Sequence, residues 1–169
     1  DVVVMGDSMV RVDGFWSGVA AEALLAARAP ILIIRSDRPL VGETAAIADW
    51  HRPGDPRAAI TLDQLMRMAS GLTSDTAGNR TDALYFGGVG IDEQATTWPL
   101  IAPPGTRFRY ANNDTLLAVL SIAPTFVDHS PADLFRRLGM YDTWAETDCR
   151  GNYMLSSHVW TTARDLARF

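Results

Sequence analysis

Lysine is missing from this chain of 169 residues, because every one of its fifteen cationic side chains is an arginine. Arginine stays protonated near neutral pH, so none of these fifteen side chains can take up a proton there. The single cysteine, Cys149, cannot form an internal disulfide. No apolar run approaches the roughly 20 residues that cross a bilayer. These absences exclude a lysine-based catalyst, a disulfide framework and a membrane-spanning helix within the sequence.

The composition is that of an ordinary globular domain. Apolar residues make up 47% of the chain, charged residues 21%, and the net charge is -5. Clustered basic residues are absent, so we expect no nucleic-acid partner. The length fits one domain over residues 1–169. No ligand spacing for zinc, calcium or phosphate occurs, so we expect no metal and no cofactor.

The sequence determines neither the cellular location of the protein nor its oligomeric state. No signal-peptide pattern is visible and the chain starts at Asp1, which is compatible with either a cytoplasmic or a periplasmic location. Nothing in the pattern of residues fixes an oligomeric state.

Local patterns predict a mixture of helices and short strands. Thr61 is expected to cap a helix that ends near Ser70, with Gly71 in the left-handed position after it. Polar, glycine-rich residues 73–90 are expected to form a long loop bordering a site. The remaining expected elements are strands at 2–5 and 31–34, and helices at 18–28, 115–122, 131–138 and from Thr161 or Thr162 onward.

Four segments follow one another in an order that resembles a known family. They read ITLDQLMRMASGL at residues 60–72, PPGTRFRYAN at 103–112, LFRRLGM at 134–140 and SSHVWTTARDLARF at 156–169. This order is similar to that of the β-lactamase-like, penicillin-recognising serine hydrolases. Residues 48–61, ADWHRPGDPRAAIT, are most similar to the branch of 6-aminohexanoate-dimer hydrolases and related esterases. The resemblance extends over about residues 37–169.

The resemblance implies a fold and a chemistry. The fold would be α+β (α/β) of the β-lactamase/transpeptidase type, with a helical region packed on an antiparallel sheet. The chemistry would be acyl transfer, in which a serine attacks a small amide, ester or lactam and forms an acyl-enzyme. A later strand of that family, carrying Lys-Thr-Gly or His-x-Gly, is not reached before Phe169, so we expect a fold that is incomplete at its C-terminus.

The resemblance also implies roles for residues of the later segments. Tyr110 and Asn112 match its Tyr-x-Asn motif, in which the tyrosine assists proton transfer and the asparagine contacts substrate. An ordinary phenol has a pKa of about 10, so it needs nearby positive charge to act as a base. Ser156 and His158 lie in a segment that borders the active site of the family, and we expect them to bind substrate; the alternative for His158 is a structural histidine whose hydrogen bonds are satisfied within the fold. Without the resemblance, Tyr110 would read as a half-buried aromatic and Asn112 as a helix cap.

The nucleophile is harder to assign, because the Ser-x-x-Lys motif of the family cannot exist without lysine. Ser8 begins the segment SMVR, in which Arg11 occupies the lysine position. Ser17 stands at the start of the predicted helix at 18–28, a stronger helix pattern than the one after Ser8, but Ala20 occupies the lysine position. Both serines are candidate nucleophiles, and each hydroxyl is equally compatible with a turn or helix cap.

Two alternatives remain open from the sequence. Residues 2–8, VVVMGDS, resemble the first block of GDS-type (SGNH) esterases, in which Ser8 would be the nucleophile and help form the oxyanion hole. That family requires Asp-x-x-His, which is absent here, and the same residues equally predict a hairpin of strands 2–5 and 9–12. The missing lysine favours the other alternative, a catalytically inactive binding domain of the β-lactamase-like fold.

Overall fold

The computed structural model describes residues 44–73 and 81–169, together with the backbone of two strands near the N-terminus. Strand β1 (Val2–Met5) pairs with strand β2 (Ser8–Arg11) in antiparallel fashion, with Met5 opposite Ser8. This pairing confirms the hairpin alternative, although its second strand begins one residue earlier than predicted. The predicted helix at 18–28 and strand at 31–34 lie outside the described residues.

Short helices and two small antiparallel sheets give the α+β fold that was expected. Strands β3 (Thr143–Ala145) and β4 (Val159–Thr161) form the second sheet, with Trp144 opposite Trp160. The helices are α1 (Leu62–Met66), α2 (Asp82–Tyr85), α3 (Ile91–Gln94), α4 (Asn112–Ile122), α5 (Pro131–Arg137) and α6 (Ala163–Leu166). Single 3-10 turns occupy Ala48–Trp50, Pro56–Ala59, Ala95–Thr97 and Ala123–Val127. Within the ranges described, none of the helices has the length and apolarity to cross a bilayer.

Side-chain caps start three of these helices where the sequence predicted them. The Thr61 hydroxyl accepts the Gln64 N–H and the Gln64 side chain accepts the Thr61 N–H, which is a capping box. Ser130 caps α5 in the same way, with proline at the first helical position. Thr162 caps α6 by accepting the backbone N–H of Asp165.

The end of α1 differs from the prediction. The helix stops at Met66, and Met68 takes the left-handed position with φ of 56°. The Ala69 N–H donates to the Gln64 carbonyl at 2.8 Å and the Met68 N–H to the Leu65 carbonyl at 3.0 Å, the Schellman pattern. The assignment of Gly71 to that position was therefore wrong.

Gly71 has a left-handed backbone for a different reason. Its φ is 78°, and a Cβ added there would lie 2.2 Å from the carbonyl oxygen of Ala102. The Gly71 carbonyl in turn accepts the N–H groups of Ile101 and Ala102. Glycine is thus required by the close approach of residues 100–102.

Two further predictions are corrected in the same region. Helix α4 begins at Asn112, three residues before the expected Thr115, because Asn112 to Asp114 already have helical backbone. Helix α2 lies within residues 73–90, which were expected to be loop throughout. Both helices contribute side chains to the candidate site.

The hydrophobic core joins α1, α3 and α4 to the first 3-10 turn. The Trp50 indole N–H donates to the Thr96 carbonyl at 3.0 Å, which satisfies its only polar atom. Arg57 binds that carbonyl as well and forms an ion pair with Asp55 at 2.7 Å. The large apolar side chains that are fully buried are Trp50, Ile60, Leu65, Ile91, Leu116 and Leu117. This packing fixes α4, at whose first turn the candidate site begins.

Candidate functional site

Tyr110 and Asn112 lie together at the start of α4. The phenol is 51% exposed, and its hydroxyl donates a hydrogen bond of 2.9 Å to Oδ1 of Asn112. Asn112 is the first residue of α4, and the preceding Ala111 makes no side-chain cap. The exposed phenol is therefore tied to the beginning of a helix whose middle, from Leu116 to Val119, is buried in the core.

Backbone and side-chain contacts hold this turn from both sides. One residue before Tyr110, the Arg109 N–H donates to the Met68 carbonyl at 2.8 Å. Four residues after it, Asp114 accepts the Ser70 hydroxyl at 2.7 Å and the Ser70 N–H at 3.3 Å. Both contacts lead to the segment that follows α1.

Asp114 and Ser70 form a buried polar pair. Each residue is only 2% exposed. Burial raises the pKa of Asp114 to about 6, and the two hydrogen bonds from Ser70 oppose that rise. The Ser70 hydroxyl also accepts the Leu72 N–H at 3.2 Å. A small cavity opens beside the pair, and its wall includes the guanidinium-bearing residues Arg107 and Arg109.

A second polar group forms around His158. Tyr85, at the end of α2, shares a hydrogen bond with the Ser156 hydroxyl, and its ring lies 4.7 Å from the His158 ring. Glu146 Oε2 lies 2.7 Å from Nδ1 of His158. The rings of Trp160 and His158 lie edge-on to each other, with 6.5 Å between their centroids.

The geometry of this second group fixes how the imidazole can act. A carboxylate at Nδ1 is an acceptor, so the neutral ring carries its proton there and presents Nε2 as an acceptor. The His158 side chain is 20% exposed, so the ring is partly open to solvent. The Glu146 N–H donates to the His158 carbonyl at 2.9 Å, which keeps the two residues in register beside β4.

The structure brings together some predicted residues and leaves others apart. Tyr110 contacts Asn112, and Ser156 and His158 both contact Tyr85. Tyr85 was not predicted, because its partners lie more than 70 residues later and no local pattern marks it. Glu146 was also missed, although its position directly after β3 opposite His158 follows once the strand pairing is known.

The side chain of Ser8 and the whole of Ser17, the two candidate nucleophiles, lie outside the part of the chain that the structure describes. Ser8 opens strand β2, where its backbone is paired, and nothing is described of its side chain. Ser17 lies outside the described residues. The prediction that one of these hydroxyls meets Tyr110 stays a prediction. Across residues 44–73 and 81–169, no group of three or more histidine, cysteine, aspartate or glutamate side chains is arranged to hold a metal ion.

Comparison with known proteins places this geometry in context. A family model described as Beta-lactamase matches residues 20–169. Among solved structures, the chain is similar to a Bacillus anthracis protein provisionally named a 6-aminohexanoate-dimer hydrolase, with a TM-score of 0.64 and 22% identity. That alignment covers 89% of this chain but 42% of the other, so the chain spans less than half the length of its neighbour. No curated protein matches the chain. At this identity the structural likeness shows the fold.

Proposed function

The chain belongs to the Beta-lactamase family, and from this premise we propose that it hydrolyses a small amide, ester or lactam through a serine acyl-enzyme. Membership gives a serine-hydrolase type of chemistry, whereas the substrate and the residue roles are our proposal. The observation that carries the proposal is the exposed Tyr110 phenol, hydrogen-bonded to Asn112 at the fixed start of α4.

Asn112 suits a partner of a proton-transferring phenol. In the structure the phenol donates its proton toward Oδ1 of Asn112 at 2.9 Å. The side-chain amide of Asn112 also carries two N–H donors on Nδ2. If this amide flips, so that Nδ2 and Oδ1 exchange places, Nδ2 can donate a hydrogen bond to a phenolate at Tyr110. One side chain can therefore serve Tyr110 before and after it releases a proton.

The proposed reaction has two stages. Oγ of Ser8 or Ser17 attacks the carbonyl carbon, and its proton passes through Tyr110 to the leaving nitrogen or oxygen as the old bond to carbon breaks. Water then adds to the acyl-enzyme, releases the acid and returns a proton to the serine. Without lysine, an arginine such as Arg11 can only stabilise negative charge, because it does not give up its own proton.

The group around His158 is proposed to bind the substrate. Ser156 offers a hydroxyl, and His158 offers Nε2 with a tautomer set by Glu146. Tyr85 holds both residues through its hydroxyl and its ring. These are hydrogen-bonding groups beside aromatic surface, which is the usual make-up of a small-molecule site.

Labelling with a fluorophosphonate and with a penicillin tests the proposal. We expect one covalent adduct per folded molecule, located by peptide mass spectrometry on Ser8 or Ser17. Tyr110→Phe should slow the labelling strongly, because the serine proton loses its acceptor. Tyr141→Phe is the matched control, since Tyr141 is an exposed tyrosine in the turn before β3.

The two competing functions predict different results. A catalytically inactive binding domain, favoured by the missing lysine, would give no adduct on the folded protein. A GDS-type esterase would be labelled on Ser8 and would hydrolyse short-chain esters equally well after Tyr110→Phe. Either result contradicts the proposal.

A further inference from the structure

We propose that Asp114 and Ser70 are positioning residues that set the direction of the Tyr110 phenol. The inference rests on the proposed function of Tyr110 and extends it to two buried residues. Neither residue was predicted from the sequence to take part in the site.

The first argument is where the carboxylate of Asp114 is directed. An acidic residue in the first turn ordinarily binds the free N–H groups of its own helix. Here both oxygens bind Ser70, which lies 44 residues earlier, at 2.7 Å and 3.3 Å. The N-cap residue Ala111 makes no side-chain cap, so side chains anchor the start of α4 through tertiary contacts, of which this one is made by a carboxylate with both of its oxygens.

The second argument is that the other side of Tyr110 is anchored to the same segment. The carbonyl of Met68 accepts the Arg109 N–H at 2.8 Å. The backbone of Met68 is left-handed, with φ of 56°, a conformation that residues other than glycine rarely adopt. Such a conformation is strained and persists where the surroundings require it. Residues 68 and 70 thus hold residues 109 and 114, which lie on either side of Tyr110 in the chain.

The third argument concerns the two hydrogen bonds made by the Ser70 hydroxyl. Its hydroxyl donates to Asp114 and accepts the Leu72 N–H at 3.2 Å, so the pair is joined to the residues beside Gly71. Ser70 and Asp114 are each only 2% exposed, and their polar atoms bind each other. The influence proposed for them passes through the position of α4 and of Tyr110.

Three variants separate positioning from stability. Asp114→Ala removes both hydrogen bonds, whereas Asp114→Asn keeps an acceptor for Ser70 and should rescue the position. Asn113→Ala is the matched control, because Asn113 is equally buried on the same helical turn but binds the Ala95 carbonyl. All variants are compared at a temperature at which circular dichroism shows them folded.

The first measurement reports on Tyr110 without requiring activity. The protein is labelled with 3-fluorotyrosine at its four tyrosines, and Tyr110→Phe assigns the Tyr110 signal in fluorine NMR. We expect Asp114→Ala to shift or broaden that signal alone, and Asn113→Ala to leave it in place. An unchanged Tyr110 signal in Asp114→Ala would overturn the inference.

The second measurement is the rate of fluorophosphonate labelling as a function of reagent concentration. Misplacing a catalytic group by about 1 Å can cost about 100-fold in rate, so we expect Asp114→Ala to slow the maximal rate by about 10- to 100-fold. The half-saturating concentration should not change, and Asp114→Asn should recover most of the rate. Equal slowing by Asn113→Ala would show that only stability matters and would overturn the inference.

The two readouts also separate this inference from the proposed function. If the wild-type protein forms no adduct but the Tyr110 signal still responds to Asp114→Ala, positioning holds and the hydrolase proposal fails. If labelling depends on Tyr110 but neither readout responds to Asp114→Ala, the hydrolase proposal holds and the positioning pair is refuted.

Discussion

The buried carboxylate of Asp114 should make stability depend on pH in a direction opposite to most acidic residues. Its pKa is raised from the ordinary value of 3.8 to about 6, chiefly because burial disfavours the charged form. The fold therefore binds a proton at Asp114 more tightly than the unfolded chain does. This contribution to stability is fully present below about pH 3.8 and is lost as the pH rises through about 6.

The expected size follows from the two pKa values. One unit of pKa difference is worth about 1.4 kcal/mol, so the change from 3.8 to about 6 corresponds to about 3 kcal/mol. No discount for solvent screening applies, because the residue is only 2% exposed. Asp114→Asn has no ionisable group and should lose this dependence, apart from a constant offset caused by its altered hydrogen bonds with Ser70.

Urea unfolding of the wild type and of Asp114→Asn at a series of pH values measures the effect. We expect the variant to gain about 3 kcal/mol on the wild type between about pH 4 and about pH 7. A difference between the two proteins that stays constant over this range would refute the reasoning. Asp55→Asn is a control of opposite sign, because Arg57 lowers the pKa of Asp55 to about 2, and the stability it provides is lost as the pH falls below 3.8 toward that value.

Three further predictions concern backbone, caps and substrate. Gly71→Ala should destabilise the protein far more than Gly54→Ala in urea unfolding, because both glycines have positive φ but only the first meets a neighbouring carbonyl; equal losses would contradict this. Thr61→Ala should cost about 1 kcal/mol in the same assay by removing the capping box of α1, and an unchanged midpoint would contradict the cap. Tyr85→Phe should raise KM and leave kcat largely unchanged, because Ser156 loses its partner; a fall in kcat alone would place Tyr85 among the reacting groups.

The parts of the structure that were predicted are those whose causes are local. The starts of α1, α5 and α6 follow from Thr61, Ser130 and Thr162, whose caps reach only three residues along the chain. The end of α1 was not predicted, since Met68 takes a left-handed position for which Gly71 was the better local candidate. Tertiary contact outweighed local preference at that point.

The candidate site shows the same division between local and distant causes. Tyr110 and Asn112, which contact each other, lie within one motif, and both were singled out from it. The contact of Ser70 with Asp114 joins residues 44 positions apart, and that of Tyr85 with Ser156 joins residues 71 apart. A single sequence carries no signal for such pairs, because either member alone reads as an ordinary polar or aromatic residue.

The role proposed for Tyr110 contains two proton transfers, and a choice of substrates can separate them. Removing the serine proton is needed for every substrate, but protonating the leaving group is needed only when that group is a poor one. An amide nitrogen must be protonated to leave, whereas p-nitrophenolate departs as an anion.

Tyr110→Phe should therefore lower kcat/KM for an amide more than for the p-nitrophenyl ester of the same acyl group. Tyr141→Phe should change neither value, since that ring belongs to neither polar group of the site. Equal losses on the two substrates would mean that the phenol serves only the serine, and that another group protonates the leaving nitrogen. The phenol holds its proton in the resting structure, where it donates to Asn112, so in the double role it gives that proton to the leaving group as it takes up the serine proton.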